Sequence, residues 1–266
     1  ITGDVRRLAI GNARGDMMIA RLLLPLLLLV ASPLLAFDHQ RWDRLLAEHV
    51  QWQRSGVATS VDYSGFRADR AALDQYLQAL SQVSGADFQR WSRDEQLAFL
   101  INAYNAFTID LILRQDSLPD SIRDIGSFFS GPWDQRFFTL LGETRTLDEV
   151  EHEMIRGNPA LMDPRIHFAV NCASVGCPAL RPEAYRAESL EQQLADSTRR
   201  FLSDRQRNRF NKTGPRLEVS KIFDWYEEDF VDAAGSLQHY LLQYADTLEI
   251  PTDHRKSLDD ETLKIQ

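Results

Sequence analysis

The chain has 266 residues, 44% hydrophobic and 26% charged, with a formal net charge of −9. That length supports one large domain with a real core, or two small ones. The acidic balance argues against nucleic acid or anionic lipid as a partner.

Residues 1–16 resemble neither a targeting element nor a domain and read as an upstream extension. Met17 to Arg21 forms a short basic n-region, Leu22 to Val30 an apolar run broken by Pro25, and Ala31 to Ala36 a small-residue region. This predicts a signal peptide over 17–36, cleaved near Ala36, and a periplasmic or secreted mature protein. The apolar run is short for a membrane span, so no transmembrane span is expected in the mature chain; an uncleaved N-terminal anchor is the alternative. Losing residues 1–36 removes four arginines and two aspartates, which leaves a net charge of −11. Residues 37–252 then form a single domain, and the charged segment 253–266 a flexible tail.

Within 38–55, Trp42, Leu45, Leu46 and Val50 have the spacing of one buried helical face, ended by Gly56. Val61 and Tyr63 mark a short extended piece. Leu73, Tyr76, Leu77 and Leu80 predict a second amphipathic helix. Ser92 with Glu95 three residues later caps a helix whose stretch Leu97 to Leu113 is apolar nearly all round, hence central and buried. Ile125 to Gly142, with Phe128, Phe129, Trp133, Phe137 and Phe138, reads as a covering loop ending in a short strand. Thr146 and Glu149 form a capping box for a helix through Ile155. Arg165 to Asn171 alternates as a strand, followed by a helix at Leu190 to Leu202 and a strand at Leu217 to Val219. Two last helices run from Ile222 to Phe230, capped by Ser220, and from Leu237 to Tyr244. The fold class is therefore α+β, a mainly helical single domain with a small β-sheet.

The chemically pointed segment is Arg165 to Pro178. As a strand it would put His167 and Asn171 on one face and Phe168, Val170 and Cys172 on the other. Cys177 lies between Gly176, which permits unusual backbone angles, and Pro178. A thiol there needs a nearby imidazole or cation, and His167 is the nearest in sequence. Cys172 and Cys177 are the two cysteines of the chain, and export makes a disulfide between them the competing reading. A third reading joins Cys172, Cys177, His167 and His152 as zinc ligands. Asn102 and Asn105 share one face of the apolar helix; they either bond to backbone and fix a loop, or line a site. Glu151 and His152 are adjacent, so at most one faces a cleft. Asp163 and Arg165 are placed to form an ion pair.

The blocks Trp91 to Ala106, Leu147 to His152, Asp163 to Cys172, Ser174 to Pro178 and Ser220 to Tyr226 together resemble the domain of unknown function 547 family, over roughly residues 55–245. The resemblance implies no assigned activity. It places Asn102, Asn105, Glu151, His152, His167, Cys177 and Pro178 in recurrent blocks, and implies a distant likeness to thiol-protease or transglutaminase architecture. Here the central helix carries Asn102 rather than a cysteine, and His167 precedes Cys177, unlike the papain order.

Two functions compete. The first is a thiol-dependent hydrolase or acyltransferase acting on peptide or cell-envelope amides, with Cys177 as nucleophile, His167 as base, Asn102 or Asn105 as orienting or donor groups, and Glu151 in support. Cys172, His152 and Asn171 are secondary candidates. The second is a non-catalytic binding or assembly module braced by a Cys172–Cys177 disulfide. Neither requires a cofactor, and the expected partner is an envelope component or peptide-like molecule.

Overall fold

The computed structural model describes residues 36–126, 131–174 and 176–266. The upstream extension, residues 17–35 of the expected signal peptide, and Phe128 and Phe129 lie outside the described residues. Helix α1 (Gln40–His49) buries Trp42, Leu45, Leu46 and His49 along one face, as its spacing demands. It passes directly into β1 (Val50–Gln53), which pairs antiparallel with β2 (Ala58–Val61). Residues 38–55 therefore divide at Val50 instead of forming one helix; Val50 and Trp52 suit a pleated strand better than a helix. Arg54, Ser55 and Gly56 between the strands all have positive φ, 49°, 56° and 88°. Next come α2 (Tyr63–Ala68), capped by Asp62, then α3 (Arg70–Ser81), with Leu73, Tyr76, Leu77 and Leu80 buried, and the single turn α4 (Gly85–Phe88).

Helix α5 (Arg93–Leu113) is the axis of the larger core. Ser92 and Glu95 cap it reciprocally, and every residue from Leu97 to Leu113 is buried. It is long and apolar enough to cross a membrane, but its apolar surface is covered by protein. The hairpin β3 (Phe138–Leu140) and β4 (Glu143–Arg145) lays Phe138 on Phe107 of α5, with centroids 3.9 Å apart. Thr146 and Glu149 make their capping box, but the helix that follows, Glu149–Arg156, has π geometry. Its wider turn brings Val150 and Ile155, five residues apart, to the buried side together with Glu151.

The segment expected as a strand is a 3₁₀ turn, Pro164–Phe168. Asp163 caps it through the Arg165 N–H, and Pro164 at its first position supplies a helical φ without losing a needed donor. Three residues per turn send adjacent side chains about 120° apart. Ile166 enters the larger core and Phe168 a second, smaller one, so His167 is directed along the seam. The expected pairing of His167 and Asn171 on one strand face does not exist.

Helix α6 (Leu190–Ser203) packs on this turn. After α6 comes β5 (Arg209–Asn211), antiparallel to β6 (Arg216–Glu218). The helix expected over Ile222 to Phe230 is broken at Tyr226 (φ −124°, ψ 29°) into α7 (Ile222–Trp225) and α8 (Glu227–Ala234). Helix α9 (Leu237–Leu242) is capped by Ser236. The segment expected as a flexible tail is also structured. It forms α10 (Thr252–Asp259) and β7 (Lys264–Ile265), which lies parallel to β6, and it buries Leu258 and Leu263. The described residues form a single, mostly helical α+β domain; its described strands form three small sheets, two hairpins and β5-β6-β7.

Candidate functional site

The site forms where the seam between the two cores meets the cysteine loop. Cys172 and Cys177 are joined in a disulfide, with Cα atoms 5.9 Å apart, within the range a bridge needs. Asn171 fastens the loop at both ends: its Nδ2 donates to the Pro178 carbonyl at 2.6 Å, and its Oδ1 accepts from the Ala173 N–H at 2.9 Å. Ala173, not Gly176, takes the left-handed conformation, at φ 54°. This is strained for a residue with a Cβ, and the Asn171 bond and the bridge hold it there.

Asn102 and Asn105 on α5 use their buried amides on backbone. Asn102 pairs with both polar groups of Tyr185, at 2.8 and 3.0 Å. Asn105 donates to the Ala169 carbonyl at 3.0 Å and accepts from the Asn171 N–H at 2.7 Å. The loop-fixing reading of these residues is the one their geometry matches: Asn105 holds the chain between His167 and the disulfide to the central helix.

His167 is 2% exposed. Its ring stacks on Tyr226 at 3.8 Å between centroids, which the break between α7 and α8 makes possible. Its Nε2 lies 2.7 Å from Asp229 Oδ2, and Arg156 grips the same carboxylate through Nε and Nη2 at 2.6 and 3.1 Å. Burial pushes Asp229 upward, but the hydrogen bonds from His167 and Arg156 prevail and hold it at about 2. Burial lowers His167, against the raising effect of Asp229, and favours a neutral ring. Asp229 is then a carboxylate that only accepts, so the one imidazole proton belongs on Nε2. The opposite nitrogen, Nδ1, is a bare acceptor, buried and without a hydrogen-bond partner. It faces Glu151 Oε1 at 3.9 Å. Burial, followed by the charge of Glu151, raises the phenols of both Tyr104 and Tyr226, so they stay protonated.

These groups enclose a small cavity of about 40 Å³ lined also by Cys172, Cys177 and Pro178, with Trp225 at its rim, 58% exposed. His152 turns outward instead, its Nδ1 2.9 Å from Arg156 Nη1. Asp163 and Arg165 form the expected ion pair at 2.7 Å.

The geometry corrects the thiol-enzyme reading. His167 and Cys177 do line one cavity, but Cys177 is bridged to Cys172 and offers no thiolate. A hydrolase or acyltransferase that depends on that nucleophile is therefore excluded, together with the general-base role assigned to His167. The same bridge removes both sulfur ligands from the zinc reading. Among the described residues the one close group of three potential ligands is elsewhere, Glu48, His49 and Asp69. Asp229, Tyr226, Arg156 and Tyr104 were not legible as site residues. Tyr226 reads as core from its aromatic neighbours, and nothing in the sequence brings Asp229 next to His167, 62 positions away.

No curated protein and no solved structure matches the chain. The distant likeness to thiol-protease or transglutaminase architecture thus finds no counterpart. The family comparison covers a shorter span than the 55–245 expected, one that includes Asn102, Asn105, Glu151, His167 and both cysteines but stops short of Trp225, Tyr226 and Asp229. Residues 88–202 match the family described as a protein of unknown function, DUF547.

Proposed function

We propose that this protein is an exported, non-catalytic binding or assembly module whose disulfide loop frames a recognition pocket. The observation that carries the reading is the unpartnered Nδ1 of His167, buried 3.9 Å from Glu151. A buried acceptor without a donor is costly, and two acceptors face one small space. A ligand presenting an N–H or O–H group fits that need, with its apolar part against exposed Trp225. The cavity has room for a water molecule or the polar tip of a larger ligand. The disulfide supports an oxidising compartment, in keeping with the proposed signal peptide. The acidic surface favours an envelope component or peptide-like partner over nucleic acid.

The test is nitrogen-detected NMR of the imidazoles in disulfide-intact protein, titrated with trialanine and with glucosamine, and with the N-acetylated form of each. The expected result is a saturable shift of His167 Nδ1 with a donor-bearing probe, reduced by acetylation or by E151Q. An Nδ1 resonance that no probe moves would remove the recognition role of the pocket.

A further inference from the structure

The two acceptors of the His167 pocket restrict what can bind between them. His167 Nδ1 and Glu151 Oε1 are 3.9 Å apart, a separation that one donor atom can bridge. An atom about 2.8 Å from both would see them at roughly a right angle, close to the angle between two hydrogens on one tetrahedral centre. A hydroxyl or a secondary amide has a single hydrogen to donate and serves only one of the two acceptors. The group that serves both carries at least two hydrogens on one atom, as water, a primary amide and an ammonium do.

Charge separates these three. Glu151 is 5% exposed, so its carboxylate is largely withdrawn from water. Arg156, on the same helix, directs Nε and Nη2 to the two oxygens of Asp229, and that pair is neutral as a whole. Burial favours a neutral His167 ring. Among the described residues no lysine or arginine forms an ion pair with Glu151. A buried carboxylate without a cation is costly. Water or a primary amide would satisfy both acceptors and leave that charge uncompensated, whereas an ammonium answers both demands. Val170, Pro178, Ile222 and the disulfide supply apolar walls, against which a charge-assisted bond is stronger than in water. The cavity of about 40 Å³ admits one small polar group. The carbon chain behind that group stays at the rim, where Trp225 is exposed.

We propose that this pocket binds a primary ammonium group, with one N–H on His167 Nδ1 and another on the Glu151 carboxylate. The inference rests on the recognition role proposed for the same pocket and narrows its ligand from any donor to a cation with at least two N–H bonds. A peptide amino terminus and an amino sugar both present that group.

The test uses disulfide-intact protein near neutral pH, at constant ionic strength, with nitrogen-detected NMR of the imidazoles. Three probes share one butyl chain: n-butylammonium, butyramide with two N–H bonds and no charge, and butyltrimethylammonium with charge and no N–H. n-Butylammonium is expected to shift His167 Nδ1 saturably and to bind about tenfold or more tightly than either of the others. Trialanine and glucosamine are then run in competition, and the one that displaces n-butylammonium tells a peptide terminus from an amino sugar. E151Q should bring n-butylammonium and butyramide to similar affinity. If E151Q does not fold, the ratio between the probes on the wild-type protein decides alone. Butyramide binding as tightly as n-butylammonium would overturn the ammonium assignment and leave the pocket a site for neutral donors. Equal binding of butyltrimethylammonium would overturn it too, because no N–H would then be needed. An Nδ1 signal that no probe moves would remove the recognition role itself.

Discussion

Asn105 shows how a buried polar side chain can be structural and still shape a site. Its amide closes the backbone at Ala169 and Asn171. Asn105→Ala leaves one carbonyl and one N–H unpaired. With roughly 1–3 kcal/mol for each buried group left unpaired, the loss should be about 2–6 kcal/mol in urea unfolding; a loss below about 1 would contradict the clamp role. Asp229 and His167 set a pH dependence. Both are held below their ordinary values of 3.8 and 6.5. Their stabilisation is therefore complete above the unfolded values and lost as pH falls through the folded ones. Stability should start to fall below pH 6.5. The Asp229 share, about 2 kcal/mol, should go between roughly pH 4 and pH 2. D229N should remove that lower step, and a D229N profile parallel to wild type would contradict the assignment.

At the scale of elements, the sequence was most readable where one periodicity met one core. Helices α3 and α5 bury the residues their pattern nominated, α6 forms over the expected stretch, and the Ser92–Glu95 and Thr146–Glu149 capping boxes form as written. The segment Arg165 to Asn171 misled because Ile166, Phe168 and Val170 alternate as in a strand. Tertiary packing decides instead: a 3₁₀ turn lets Ile166 and Phe168 enter different cores. The disulfide loop is short, and its chain-entropy contribution is correspondingly modest. C172S/C177S should lose about 2 kcal/mol in urea unfolding, with an unchanged dependence on denaturant. A changed slope would mean that the loop organises more of the fold than its own turn.

At the scale of the molecule, the pocket depends on the smaller core as much as on the family-matched segment. That core supplies Tyr226 and Asp229 and is completed by the chain end, where Leu258 is fully buried. Leu258→Ala should cost about 2–4 kcal/mol, whereas a flexible tail would tolerate it without measurable loss. The chain's charged ending suggested disorder because composition averages over Leu258 and Leu263, the two side chains that anchor it. In the proposed function the cysteines brace a recognition loop and perform no thiol chemistry. This is checked by thiol titration and intact mass of protein purified without reductant, in native and denaturing buffer. No alkylated cysteine is expected in either buffer, and the full two-thiol label is expected after reduction. Two free thiols in unreduced protein, with Cys177 alkylated fast and in a pH-dependent way, would contradict it.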